Sequence, residues 1–198
     1  MTRMEQVLEL ARERGIIQAK EAEALGIHRQ HLKRLEQQGR LIRSARGIYT
    51  FADAPITERH TLVEVVKRVP QGVICLLSAL NFHELTTQAP FEVWLAIPQK
   101  ARAPKEDLLP LRIVRMSGQS LESGIEKHFV EGVRVPVYSP AKTVVDSFKF
   151  RSKVGLDVAL ESLRECLQKK CCTVDEIWQY AKICRMQNVI RPYLEALE

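Results

Sequence analysis

Apolar residues recur at helical spacing from the start of the chain. Met4, Val7, Leu8, Leu10 and Ala11 share one face up to Arg14, and Gly15 stops the helix. A second helix is predicted over residues 18–25. It buries Ala19, Ala22 and Leu25, and Gly26 supplies the left-handed backbone of a sharp turn. A third runs over residues 28–38, with Leu32 and Leu35 inward, His28 at the cap position and Gly39 at its end. Beyond Gly39 the apolar period changes from helical to alternating. Residues 40–44 read as a short strand, 45–47 as a tight turn and 48–51 as the returning strand. Two helices joined by a short Gly-containing turn, the second strongly basic and followed by a hairpin, make a winged helix-turn-helix.

Residues 52–55 read as a linker. Thr57 then caps a helix of about twelve residues with Leu62, Val65, Val66 and Val69 inward, ended by Pro70. A buried strand is predicted over 72–76, a helix over 78–83, strands over 91–97 and 111–116, and one or two more over 129–137. Ser139-Pro140 opens a helix over 141–150, a cap followed by Pro at the first helical position. Three further helices follow, over 156–169, 173–185 and 189–197, the middle one opened by a Thr173/Glu176 capping box. The expected fold is α+β: a winged helix-turn-helix over 1–52, then a mixed α/β domain over 56–198 that is helical from about residue 139.

Charge sharpens the picture. The chain carries a net +6, and residues 1–50 hold ten Lys/Arg against six Asp/Glu. The excess therefore sits on the helix-turn-helix, as neutralising phosphates requires. With Leu32 and Leu35 inward, the third helix presents Arg29, Gln30, Lys33, Arg34 and Gln37. Arginine pairs bidentately with guanine and glutamine with adenine, so Arg29, Gln30 and Lys33 are assigned to base edges and Arg34 to a phosphate. His31 is read either as a DNA contact or as packed at the helix-helix edge. At the wing tip, Arg43 and Arg46 are placed to meet a phosphate or enter the minor groove, and Arg3 to touch the backbone beside the first helix.

Other chemistry finds little support. The five cysteines (Cys75, Cys166, Cys171, Cys172, Cys184) include no CxxC pair and are expected as buried or half-buried thiols on helices, not disulfides. No Cys/His set has zinc spacing, and His83-Glu84 is followed by Thr87 where a zincin needs a second His. Around Glu92 there is no nuclease-type Glu-x-Lys, the chain has no G-x-S-x-G, and its nine glycines form no phosphate loop. Lys142 and Asp146 are expected as a solvated i, i+4 pair, the other reading making Lys142 part of a basic surface that follows DNA or meets a partner. No metal, cofactor or catalytic group is expected. The longest apolar stretch, at residues 73–77, is far shorter than a bilayer span, and no secretory signal is read at the N-terminus, so a cytoplasmic location is expected.

The runs Ala24-Leu25-Gly26-Ile27, Leu32-Lys33-Arg34-Leu35, Gly39-Arg40-Leu41-Ile42-Arg43 and Arg46-Gly47-Ile48-Tyr49 resemble the N-terminal domain of AbiEi-type antitoxins. Ser78-Ala79-Leu80 with Leu85-Thr86, and Pro140-Ala141-Lys142-Thr143-Val144-Val145-Asp146, resemble two segments of the same family's larger domain. The resemblance implies a regulator that binds inverted repeats upstream of its own operon and counters a nucleotidyltransferase-like toxin encoded next door, without a stable complex with it. One winged helix per chain suggests two copies on a repeat, with dimerisation on DNA. Two other readings stay open: a stand-alone regulator whose second domain senses a signal or dimerises, and an enzyme with a DNA-targeting domain.

Overall fold

Gly15, at φ +67°, ends the first helix, α1 (Arg3–Arg14), where the pattern places the stop. The computed structural model describes residues 3–52, 57–104 and 110–197. They group into two units, one built on residues 3–52, 57–70 and the hairpin tip 128–135, the other on residues 71–104, 110–127 and 136–197.

In the first unit α1 is followed by a strand that periodicity did not anticipate, β1 (Ile16–Gln18), then α2 (Ala19–Ala24), α3 (Arg29–Gln37), β2 (Leu41–Ala45), β3 (Ile48–Phe51) and α4 (His60–Arg68). β1 and β2 both pair antiparallel with β3, Ile16 opposite Thr50 and Leu41 opposite Phe51, so the wing is a three-stranded sheet. Three residues give too short a run for alternation to register. What makes β1 a strand is burial of both Ile16 and Ile17 on the β3 ladder.

The turn between α2 and α3 is a Schellman motif. The Ile27 N–H donates to Ala22 O at 2.9 Å and the Gly26 N–H to Glu23 O at 2.9 Å, with Gly26 at φ +73°. Here one expectation fails: Leu25 is 54% exposed. It lies past the last helical residue, as the C-cap, so the helical face no longer orients it, and Ile27 enters the core instead. That core joins Val7, Ala11, Ile17, Ala22, Ile27, Leu32, Leu35, Leu41, Tyr49 and Phe51.

α4 begins two residues later than the Thr57 cap predicts, with Arg59 at the cap position. The Thr57 backbone N–H and hydroxyl both donate to the Glu131 carboxylate, at 3.1 and 2.7 Å, and His60 Nδ1 lies 2.7 Å from its other oxygen. Val63, Val65, Val66 and Val69 are buried, and Leu62 only half-buried.

The second unit holds β4 (Val73–Ile74), α5 (Leu76–Phe82), β5 (Val93–Pro98), β6 (Leu111–Met116), α6 (Gln119–Glu122), the first half of β7 (Ile125–Val130) and the last half of β8 (Val133–Tyr138), and then α7 (Pro140–Lys149), α8 (Arg151–Val154), α9 (Leu156–Gln168), α10 (Val174–Cys184) and α11 (Gln187–Glu195). Its sheet has the order β6-β5-β4-β8-β7. β4 runs antiparallel to β5 and parallel to β8, and β5 parallel to β6. The strand expected over 72–76 shrinks to two residues because α5 starts at Leu76. Phe91, read as the start of β5, is instead 84% exposed. The last helices pack around Val144, Val145, Phe148, Leu163, Ile177, Ala181 and Ile190.

The segments 78–86 and 140–146 serve the packing of this unit. The Trp94 N–H donates to Ser78 Oγ at 2.9 Å, Leu80 and Leu85 are fully buried, and Thr86 and Thr87 donate to the Glu161 carboxylate at 2.9 Å. Ser139 caps α7 as read, accepting from the Lys142 N–H at 3.4 Å.

Lys142 and Asp146 are not solvated: both side chains are 0% exposed. Lys142 donates to Asp146 Oδ2 and lies 4.4 Å from the Tyr138 ring centroid, while Cys184 Sγ donates to Asp146 Oδ1 at 3.6 Å. Spacing along α7 fixes that the two side chains meet, but only the elements around α7 decide whether water reaches them. The cysteine expectation is also corrected. Cys166 and Cys172 form a disulfide, their Cα atoms 6.0 Å apart, because the end of α9 and the approach to α10 bring residues six apart together. Cys75 and Cys184 are buried thiols and Cys171 is exposed.

Candidate nucleic-acid interface

α3 forms because His28 caps it and Leu32 and Leu35 anchor it. His28 Nδ1 accepts from the Gln30 N–H at 3.2 Å, doing the work more often done by Ser or Asp, and the two leucines are 0% and 1% exposed. With that face held, Arg29, Gln30, Lys33, Arg34 and Gln37 all lie exposed on the opposite side. His31 is half-buried, and its Nδ1 is enclosed without a hydrogen-bond partner.

The wing completes the surface. β2 shifts register between Arg43 and Ala45, and Gly47, at φ +76°, closes the turn. A groove of about 820 Å³ between α3 and the wing is lined by His28, Arg29, Gln30, Lys33, Glu36, Gln37, Arg43 and Tyr49. The structure thus brings five of the sequence-predicted residues into one place: Arg29, Gln30, Lys33, Gln37 and Arg43. A second groove of about 550 Å³ holds Arg29, Arg43 and Arg46 together with Gln18, Lys20, Tyr49, Lys67 and Arg68. Arg34 is exposed but lines neither groove. Arg3 is the first residue of α1, and its side chain lies outside the described residues.

Lys20, Lys67 and Arg68 were not singled out from the sequence. Lys20 sits on a short helix whose inward face was the legible signal. Lys67 and Arg68 close α4, beyond the linker, where periodicity gives no reason to join them to the wing. Lys67 donates to Ile16 O and lies 3.5 Å from Glu21, so α4 is fastened to β1 and α2 at this point. Arg29 is also held: its guanidinium pairs with Glu23, Nε lying 2.5 Å from Oε1.

An exposed helix carrying Arg, Gln and Lys beside a basic two-stranded tip has the chemistry to meet a duplex. A helix fits the major groove, and wing cations reach phosphates or the minor groove. No helix of the described residues is long and apolar enough to cross a membrane.

Among solved structures, the RV2827C protein from Mycobacterium tuberculosis superimposes with a TM-score of 0.63 over 92% of this chain and 72% of that one, at 15% sequence identity. At that identity the likeness is one of fold. A search of curated proteins gave no match. Residues 5–52, the segment that carries α3 and the wing, match the family described as transcriptional regulator, AbiEi antitoxin.

Proposed function

We propose that the protein is a DNA-binding transcriptional autorepressor that serves as the antitoxin of an AbiE-like pair, opposing a nucleotidyltransferase-like toxin. The observation that carries this reading is the groove between α3 and the wing, which gathers Arg29, Gln30, Lys33, Gln37 and Arg43 inside the segment matching a regulator family. In this reading α3 enters the major groove. Arg29, Gln30 and Lys33 read base edges, Gln37 lies farther along the same helix, and Arg34, Arg43 and Arg46 hold phosphates, with Arg3 beside the first helix. Two copies occupy an inverted repeat, pairing on the DNA. The second unit contributes to antitoxicity without a lasting complex with the toxin, and no catalysis is involved.

The test is a gel-shift titration with the DNA upstream of its own gene against an unrelated fragment of equal length, at about 150 mM salt, where phosphate contacts alone bind weakly. Strong preference for its own upstream DNA is expected. Equal, salt-sensitive binding to both fragments removes the autorepressor reading, and no binding removes DNA recognition altogether. Co-expression with the adjacent gene then tests antitoxicity: relief of growth arrest supports it, and unrelieved arrest refutes it.

A further inference from the structure

Arg29 does not stand alone on the recognition helix. Glu23, in the last turn of α2, reaches across the Gly26 turn and grips the guanidinium from the side. Nε lies 2.5 Å from Oε1, and Nη2 donates to Oε2 at 3.1 Å. A guanidinium has a second fork, formed by Nη1 and the other Nη2 hydrogen, and this grip leaves that fork unengaged by Glu23. The remaining fork is one that pairs with O6 and N7 of guanine.

Helix stability does not account for the pair. Glu23 sits at the C-terminal end of α2 and Arg29 at the first position of α3, so each charge opposes the dipole of its own helix. Both side chains are substantially exposed, 67% for Arg29 and 39% for Glu23, and exposed ion pairs contribute little to folding. Nor does phosphate attraction account for it, since a carboxylate beside a basic groove repels the duplex. What the pair does achieve is immobilisation. A long, freely rotating side chain loses rotamer entropy when it docks on a base, and a side chain already held by a charge-assisted hydrogen bond and a close ion-pair contact has lost much of that freedom beforehand.

We propose that Glu23 is a positioning residue that aims the Arg29 guanidinium at one guanine of the binding site, an inference that rests on the DNA-binding reading above.

The experiment is selection of duplexes from a library with a randomised core by the full-length protein and its Glu23→Ala, Glu23→Gln, Arg29→Ala and Glu23→Ala/Arg29→Ala variants, followed by affinity measurements on the recovered sequence and on its guanine-substituted versions. Wild type selects a guanine at one position of each half-site. Arg29→Ala loses that preference, which for a bidentate pair amounts to roughly 5- to 150-fold. Glu23→Ala reduces it about threefold to tenfold while tightening binding to unrelated DNA, because a negative charge has left the surface. Glu23→Gln, which keeps one acceptor oxygen, falls between. In the Arg29→Ala background, Glu23→Ala changes the guanine preference no further. These opposite movements of preference and of general affinity distinguish positioning from simple repulsion. If Glu23→Ala tightens every sequence equally and keeps the guanine, or if Arg29→Ala keeps it, the inference is overturned while DNA binding stands. If wild type enriches no sequence, the inference falls together with the reading beneath it.

Discussion

Replacing Lys142 by methionine isolates the cost of a buried carboxylate. Methionine keeps the Cβ and Cγ stem that faces Gly124 but removes the ammonium that donates to Asp146 Oδ2. Asp146 is then a carboxyl with 0% exposed surface that still accepts a hydrogen bond from the weak thiol donor of Cys184. Removing one member of a fully buried pair costs about 3–5 kcal/mol, a large part of the 5–15 kcal/mol that holds a domain of this size folded. At roughly 2–4 °C per kcal/mol, the midpoint should fall by about 6–20 °C. Burial already raises the Asp146 carboxyl above its ordinary range, with Lys142 opposing it, so losing Lys142 raises it further. A group whose folded pKa is raised binds its proton more tightly folded than unfolded. The variant's deficit should therefore shrink as pH falls through the raised value toward the ordinary carboxylate value of about 3.9. Urea melts across pH measure both effects. The double variant Lys142→Met/Asp146→Leu, with no buried charge left, should recover most of the loss. A cost for Lys142→Met below about 1 kcal/mol, or a double variant less stable than either single one, would refute the reasoning.

Other consequences follow from particular contacts. Arg46→Ala should weaken binding to all duplexes evenly and reduce the salt slope by about one unit, measured by titration across salt concentrations; a sequence-selective loss would contradict a phosphate role. Glu131→Ala removes the acceptor of the Thr57 and His60 contacts and should cost about 1–3 kcal/mol by denaturant melts. Burial pulls the Glu131 carboxyl up, but the hydrogen bonds from Thr57 and His60 outweigh it and hold the group below its ordinary value. Its contribution is therefore full above the ordinary carboxylate range and is lost as pH falls through the lowered value, and the variant should show a flatter acid limb. Gly124→Ala places a methyl 2.8 Å from Lys142 Cβ at a backbone with φ +73°, so a loss of at least about 2 kcal/mol is expected by thermal melts.

Local signals carried far in the N-terminal unit. Leu32 and Leu35 fixed which face of α3 is buried, and that alone put Arg29, Gln30, Lys33, Arg34 and Gln37 outside. Gly26 and Gly47 marked turns that need a left-handed backbone, and both adopt one. Ser139 and Thr173 marked helix starts because a cap is a contact between near neighbours. Leu25 failed for the complementary reason: one residue beyond a helix end, face assignment has no basis.

By itself, then, the sequence determined whatever depends on residues within about one helical turn of each other: periodicity, caps, turns and the outward basic face. The tertiary structure decided everything that depends on what comes to lie opposite. β1 becomes a strand only because β3 is there to pair with it, and Thr57 leaves its helix for Glu131, a residue 74 positions away. Lys142 and Asp146 make the same i, i+4 contact whether wet or dry, and only the packing around α7 removes the water. Glu23 and Arg29 are separated by a turn whose geometry, not its spacing, brings a carboxylate against a guanidinium.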